Sequence, residues 1–317
     1  MHRISNRKRR KVNLVAFRAT AFAASLMIAN SCSAQQPTES DDKVGAEAIS
    51  ITQFEGAETW KVYVPGELEL HNENLHDLRV VYGATMFTPN GPLKKKVSFD
   101  VRDVMAEGRR ADWLQWSFTA EYEGEEGYPN LDLLVIDSET GQLRFRMFPA
   151  VSTLESGGTY SFIHVIPSAV KELTVMPDGK TYPEQHDLGG VPIFDFGALG
   201  FVLPFLDLVE GEGFRLRTYN YSSVDSVAVY PHALENIRLP NGRTVTIRDV
   251  DVLVAGGTQL ITYRVSSEAP YFYGWDYKQV KDGAPLFKMD YRGFVSAEAG
   301  AVETSQQPEN LQQSNLP

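Results

Sequence analysis

The chain has 317 residues, with 30 Lys and Arg against 41 Asp and Glu, one cysteine, and 43% hydrophobic residues. That length allows a sizeable core, and a single cysteine excludes a disulfide-stapled fold. The acidic balance argues against nucleic acid and anionic lipid surfaces as partners. Residues 1–34 sharpen it: they hold seven of the Lys and Arg and none of the Asp and Glu, so the remainder carries 23 basic against 41 acidic residues, a net −18.

The chain opens on the basic residues Arg3, Arg7, Lys8, Arg9, Arg10 and Lys11, followed by the apolar run Ala19 to Ala29 and the small-residue end Ser31-Cys32-Ser33-Ala34. This charge order and length predict a signal peptide over 1–34 and an exported protein. Two outcomes stay open. Cleavage after Ala34 gives a soluble periplasmic protein starting at Gln35. Acylation of Cys32, which stands where a lipoprotein's lipidated cysteine would, ties the chain to a membrane, the outer membrane included. Gln35 to Val44 is polar and aperiodic, which predicts a flexible linker over 35–47. The tail 297–317, rich in Gln, Asn, Ser and Glu, is expected to carry no structure.

Between them lies a mainly β domain over 48–296. Leu78, Val80 and Tyr82 alternate with polar neighbours, as do Val97, Phe99 and Val101, and Leu114, Trp116, Phe118, Ala120 and Tyr122. Period two is the pattern of half-buried antiparallel strands. Pro89-Asn90-Gly91, Thr140-Gly141, Pro177-Asp178-Gly179, Pro240-Asn241-Gly242, Ala255-Gly256-Gly257 and Lys281-Asp282-Gly283 supply tight turns at hairpin positions, so the topology reads as a meander. In Val245 to Val252 the apolar parity changes after Ile247, predicting a β-bulge near Arg248 and Asp249. Residues 48–125 are either the opening strands of the same sheet or a separate small β subdomain.

The most apolar window after the signal is Leu188 to Val209, LGGVPIFDFGALGFVLPFLDLV. A membrane span needs about 20 apolar residues with few charges, and this window is interrupted by Asp195, Asp207, Pro192 and Pro204. Phe194, Ala198, Phe201, Phe205 and Leu208 fall three and four apart, which predicts one face of a helix apolar nearly all round. Pro204 should break it into two short pieces. Such an insert is either a plug that completes the core or a lid over a greasy cavity.

Tyr271, Tyr273, Trp275 and Tyr277 would share one face of a strand, and Trp113 falls on the polar face of its own; rings like these pack a core, line a lipid cavity or stack on sugars. Chemistry is thinly represented. The five histidines after the signal, His71, His76, His164, His186 and His232, show no HExxH or similar spacing, so no metal ligand set is expected. No GxSxG, GxGxxG or P-loop is present, and no cysteine nucleophile follows Cys32. Carboxylates for glycoside hydrolysis, which needs two across a cleft, exist in Asp132 and Asp137 or in Glu121, Glu123, Glu125 and Glu126, but they read as strand-face and hairpin-tip surface groups. The expectation is a non-enzymatic protein without cofactor.

Three stretches in order, Leu133 to Phe148, Pro192 to Val209 and Thr258 to Tyr277, give the region Asn130 to Lys278 a segment order that resembles an uncharacterised domain-of-unknown-function family of exported bacterial β-proteins allied to the LolA and LppX half-barrels. The resemblance implies a strongly curved antiparallel sheet, a half-barrel or open barrel, around an apolar interior that helices close and that can hold an acyl chain. No basic rim for an anionic head group accompanies it here. The leading functional expectation is a cell-envelope protein binding a hydrophobic or lipid-like ligand beneath the insert, lined by Phe194, Phe201, Phe205, Leu208, Tyr273 and Trp275. A structural or protein-interaction role with a filled core is the second, and a carbohydrate-binding or carbohydrate-active protein the third. A membrane would be engaged only through lipidation at Cys32.

Overall fold

The computed structural model describes residues 48–71, 78–88, 91–103, 115–122, 130–151, 159–176, 178–220, 223–239, 241–296 and 302–304. The signal segment with Cys32, the linker 35–47, His76, Trp113 and Glu123, Glu125 and Glu126 lie outside them.

The alternating segments form strands. In chain order they are β1 (Val62–Tyr63), β2 (Leu78–Thr88), β3 (Gly91–Asp103), β4 (Gln115–Tyr122), β5 (Asn130–Asp137), β6 (Leu143–Val151), β7 (Thr159–Ile166), β8 (Ala169–Val175) and β9 (Thr181–Asp187). After the apolar window begins come β10 (Phe194–Asp195), β11 (Phe214–Tyr219), β12 (Val224–Arg238), β13 (Thr244–Val254), β14 (Gln259–Val265), β15 (Phe272–Gln279), β16 (Pro285–Ser296) and β17 (Val302–Thr304). They make one sheet in which β2 to β9 and β11 to β16 each pair antiparallel with their chain neighbours. β2 joins the two runs by pairing with β16, so residues 48–125 contribute to the same sheet as the C-terminal strands. Among the described residues only β1 and β10 pair parallel, both on one edge of β11.

Register follows the apolar pattern. Leu78, Val80 and Tyr82 stand opposite Val101, Phe99 and Val97, which in turn stand opposite Phe118, Ala120 and Tyr122. Leu78, Val80 and Tyr82 are buried in the main core. The expected irregularity near Asp249 is present, but the extra residue sits on the partner strand. β12 spends His232 and Ala233 where β13 spends Asp249 alone, between the Pro231–Val250 and Leu234–Arg248 pairs.

The sheet curves without closing. No backbone ladder among the described residues joins β9 to β10 or β11, and the gap is crossed by other means. Leu188 N donates to Ser168 O and Leu143 N to Ile193 O, so the segment after β9 is laced to β6 and to the turn before β8. The Arg217 guanidinium, on β11, donates to the carbonyls of Leu188 and Val191. The fold is therefore mainly β, antiparallel and barrel-like but open. Among the described residues no helix is long and apolar enough to cross a membrane.

Two expectations are corrected here. The tail is not bare, because Val302–Thr304 pairs with Gly293–Val295 of β16. β16 runs beyond its pairing with β15, which ends at Gly274–Asp290, and the freed edge accepts a short strand. The apolar window is not one helical stripe either. Phe194 belongs to β10, opposite Thr218, and Leu208 follows the helical turns. The helical part comprises a 3-10 turn at Phe196–Ala198, α1 (Leu199–Val202), and a second 3-10 turn at Leu203–Phe205 that contains Pro204. Lacking an N–H, Pro204 fits the opening of that last turn, and the chain is extended by Leu206.

A second, smaller cluster lies outside the sheet. Phe54 and Ala57 pack on Ala228 and Leu260, with Trp60 stacked on Tyr230 at 6.5 Å. Residues 49–60 thus cover part of the outer face of β12 to β14. Their edge meets a polar row in which Asp251 accepts from Thr262 Oγ1 at 2.6 Å and Gln53 Nε2 at 3.1 Å, with His232 Nε2 at 2.8 Å. Its neighbour Asp249 is less well served, since its Oδ1 is buried with no hydrogen-bond partner among the described residues. Burial chiefly pushes its carboxyl above the ordinary carboxylate range, opposed by the Arg264 guanidinium and reinforced by Glu235 and Asp251. A raised acid contributes most to stability below the ordinary carboxylate value, and that contribution is lost as pH rises through the raised one. Asp249→Asn should therefore raise the melting temperature at neutral pH. The gain should vanish below about pH 4, where the wild-type carboxyl is protonated in both states; paired melts from pH 3 to 8 check it.

Candidate functional site

The helical part of the window packs against β14 and β15 within the main core. Asp195 begins the helical part: its Oδ1 accepts from Ala198 N at 3.0 Å, as a cap should, and from the Arg146 guanidinium at 2.6 Å. This ion pair is fully interior, with the side chains 3% and 0% exposed. Phe201 packs edge-on against Phe272 at 5.3 Å, and Phe205 lies 5.0 Å from Tyr271. Phe272 in turn meets Tyr82 and Tyr263, and the Tyr82 hydroxyl donates to its carbonyl at 2.8 Å. Each ring or aliphatic side chain so buried contributes roughly 1.5–3 kcal/mol.

Of the six predicted lining residues, Phe194, Phe201, Phe205, Tyr273 and Trp275 are all buried and Leu208 is half-buried against the same core. They do not stand as one wall. Trp275 packs on Tyr263 and Phe287, Tyr273 turns towards Tyr291, and Phe194 lies beneath the β5–β6 turn. That turn needs Gly141, whose φ is +73° and whose missing Cβ would stand 3.0 Å from the Phe194 ring.

The four-ring row of strict alternation is corrected. β15 carries an extra residue at Tyr273, between the pairs Arg264–Gly274 and Val265–Phe272. The bulge puts Phe272, Trp275 and Tyr277 opposite the core residues Val265, Tyr263 and Ile261, while Tyr271 precedes the strand with φ +66°. With Tyr273 and Trp275 only 3% and 4% exposed, this strand offers no ring face on which a sugar could stack. All four rings of the predicted row, Tyr271, Tyr273, Trp275 and Tyr277, are buried; Trp113 lies outside the described residues.

A concave feature among the described residues lies at the rim of this core. A groove of about 550 Å³ runs between Gly66, Glu67, Leu68, Glu69 and Leu70 on one side and the turn Ser138, Glu139 and Thr140 on the other. Leu70 bridges to Leu206 and His71 N donates to Phe205 O, so the far end of the helical part lies against the Leu70 wall of the groove. Its floor is apolar through Leu68 and Leu70 and its rim acidic through Glu67, Glu69 and Glu139. The turn is rigidly made: Asp137 accepts from Glu139 N, Thr140 N, Thr140 Oγ1 and the Arg144 guanidinium at 3.2, 3.0, 2.8 and 2.6 Å. Burial would raise its carboxyl, but the Arg144 and Thr140 bonds hold it below the ordinary value. Asp137 is thus spent on the turn. Of the other candidate carboxylates, Asp132 and Glu121 lie on β5 and β4 at neighbouring register positions.

The histidines do not converge. His71 is exposed at the groove's edge, His164 is exposed on β7, His232 pairs with Asp251, and His186 lies on β9 against the Tyr219 ring at 5.5 Å. Sequence reasoning missed Arg146, Phe272 and the strap 64–71. The first had one usable signal, since a lone Asp195 in an apolar window must find a partner. No protein-family model matches the chain, and no curated protein matches it. Among solved structures it is similar to a β-barrel-like protein of the domain of unknown function DUF1849 from Brucella abortus. The identity is 8%, over 70% of this chain and 98% of that one, with a TM-score of 0.41.

Proposed function

We propose that this is an exported protein of the cell envelope that works by binding, taking a hydrophobic or lipid-like ligand in the groove over Leu68 and Leu70. The observation that carries the reading is the groove's placement, an apolar floor continuous through Leu70 and Leu206 with the main core, beneath an acidic rim. The interior is filled by the insert's own rings, which favours a ligand held at the rim over one threaded through the sheet. Glu67, Glu69 and Glu139 favour a neutral or cationic head group and disfavour an anionic one. Export rests on the basic start and apolar run of 1–34, with the periplasm or outer membrane as destination according to the fate of Cys32.

Native mass spectrometry of protein purified from its own envelope tests this, wild type beside Leu68→Arg. The expected result is an extra mass of lipid size on the wild type that leaves on denaturation and is absent from a normally folded Leu68→Arg. A bare wild-type mass would favour the second reading, a non-enzymatic interaction or structural protein with a filled core, which the ring packing around Phe272 supports. An extra mass retained by Leu68→Arg would move the ligand out of the groove. The denatured mass reports the start: Gln35 for a soluble protein, acylated Cys32 for an anchored one.

A further inference from the structure

We infer that Glu172, Glu184 and His186 form a binding site for a divalent cation of the zinc class at the end of the sheet. Glu172 on β8 stands directly opposite Glu184 on β9, and His186 follows two residues along, opposite Val170, on the same face. One ligating atom from each lies within 4.8 Å of the others. His186 Nε2 is 3.8 Å from a Glu184 carboxylate oxygen, too long for a hydrogen bond. Two ligands on one tetrahedral zinc with bonds of about 2.1 Å stand about 3.4 Å apart, so a small inward rotation completes the set.

A further observation points to a ligand. The Nε2 atom of His186 is buried and has no hydrogen-bond partner among the described residues, although the side chain as a whole is 22% exposed. The surroundings suit the role. The Tyr219 hydroxyl donates to Glu172 at 2.5 Å and its ring packs on His186, which holds two of the three ligands in place from β11. One imidazole nitrogen and two carboxylates favour zinc over calcium or magnesium, which prefer oxygen alone. Glu184 and His186 are partly exposed, giving the ion a way in and leaving a fourth position for water. Through Glu172 and Tyr219 the bound ion would brace β9 against β11 across the gap.

Calorimetric titration of zinc chloride into tag-free protein stripped with a chelator tests the assignment. Wild type should take up one zinc with a Kd of micromolar or below. His186→Ala and Glu184→Gln, both on a partly exposed end strand, should keep the far-UV spectrum and weaken binding at least tenfold. His164→Ala, on the opposite face of β7, should bind as wild type does. Absence of zinc uptake by wild type, or equal uptake by all four proteins, would overturn the site. Tyr219→Phe should loosen binding about tenfold if the hydroxyl orients Glu172.

Discussion

Replacing Arg146 by methionine should lower the unfolding free energy by about 3–5 kcal/mol, because it strands the Asp195 carboxylate in the interior without its guanidinium. Asp195 is fully buried and also caps the helical part through Ala198 N, so it cannot swing out to water without undoing that turn. The pair itself need not be worth that much: removing both charges at once is often near neutral, since neither desolvation cost remains. Arg146→Met with Asp195→Asn should therefore recover most of the loss, the asparagine still accepting from Ala198 N. Urea unfolding of the wild type, the single and the double variants checks both statements. A loss under about 1 kcal/mol for the single variant would mean that water reaches Asp195.

Gly274→Ala should be at least as costly, on the order of 4 kcal/mol or more, and should reduce the yield of folded protein. The position has φ +124°, outside what an alanine tolerates, and its Cβ would stand 2.0 Å from the Met289 carbonyl oxygen, a backbone atom. No side-chain rotation relieves such a contact. β15 and β16 would have to part where Trp275 and Phe287 meet edge to face. Alanine at Gly242, where nothing obstructs within 3.8 Å, is the comparison: it incurs the positive-φ penalty alone. Thermal melts of the two variants should separate by several degrees, and equal melts would refute the steric argument.

Much of the sheet was legible because alternation and turn residues are local signals. The Leu78, Val80 and Tyr82 face, the meander and the irregularity at Asp249 all follow from period two and its interruption. Two bulges defeated the same rule. An extra residue at Arg144, between the pairs Val135–Phe145 and Ile136–Leu143, turns Arg146 to the side of Leu134 and Ile136. Strict alternation would have left both arginines outside. The bulge at Tyr273 likewise brings in Phe272, the ring around which the interior packs. In each case one extra residue inverts the parity of the strand beyond it. The helical stripe over 194–208 failed for another reason, since Phe194 is claimed by β11 through a long-range ladder that local periodicity cannot report. Glu172, Glu184 and His186 were invisible as a set because their spacing is that of a strand pair, and Tyr219 reaches them from across the gap.

The apolar window packs as core, and under the proposed function any ligand sits outside it. The unfolding free energy of Phe201→Ala, measured on protein stripped of bound lipid, tests this packing. A ring wedged edge-on against Phe272 leaves a cavity when removed, and the loss should be about 3–5 kcal/mol. A loss below about 1 kcal/mol would show that the ring borders open space, and the window would then be a lid over a cavity.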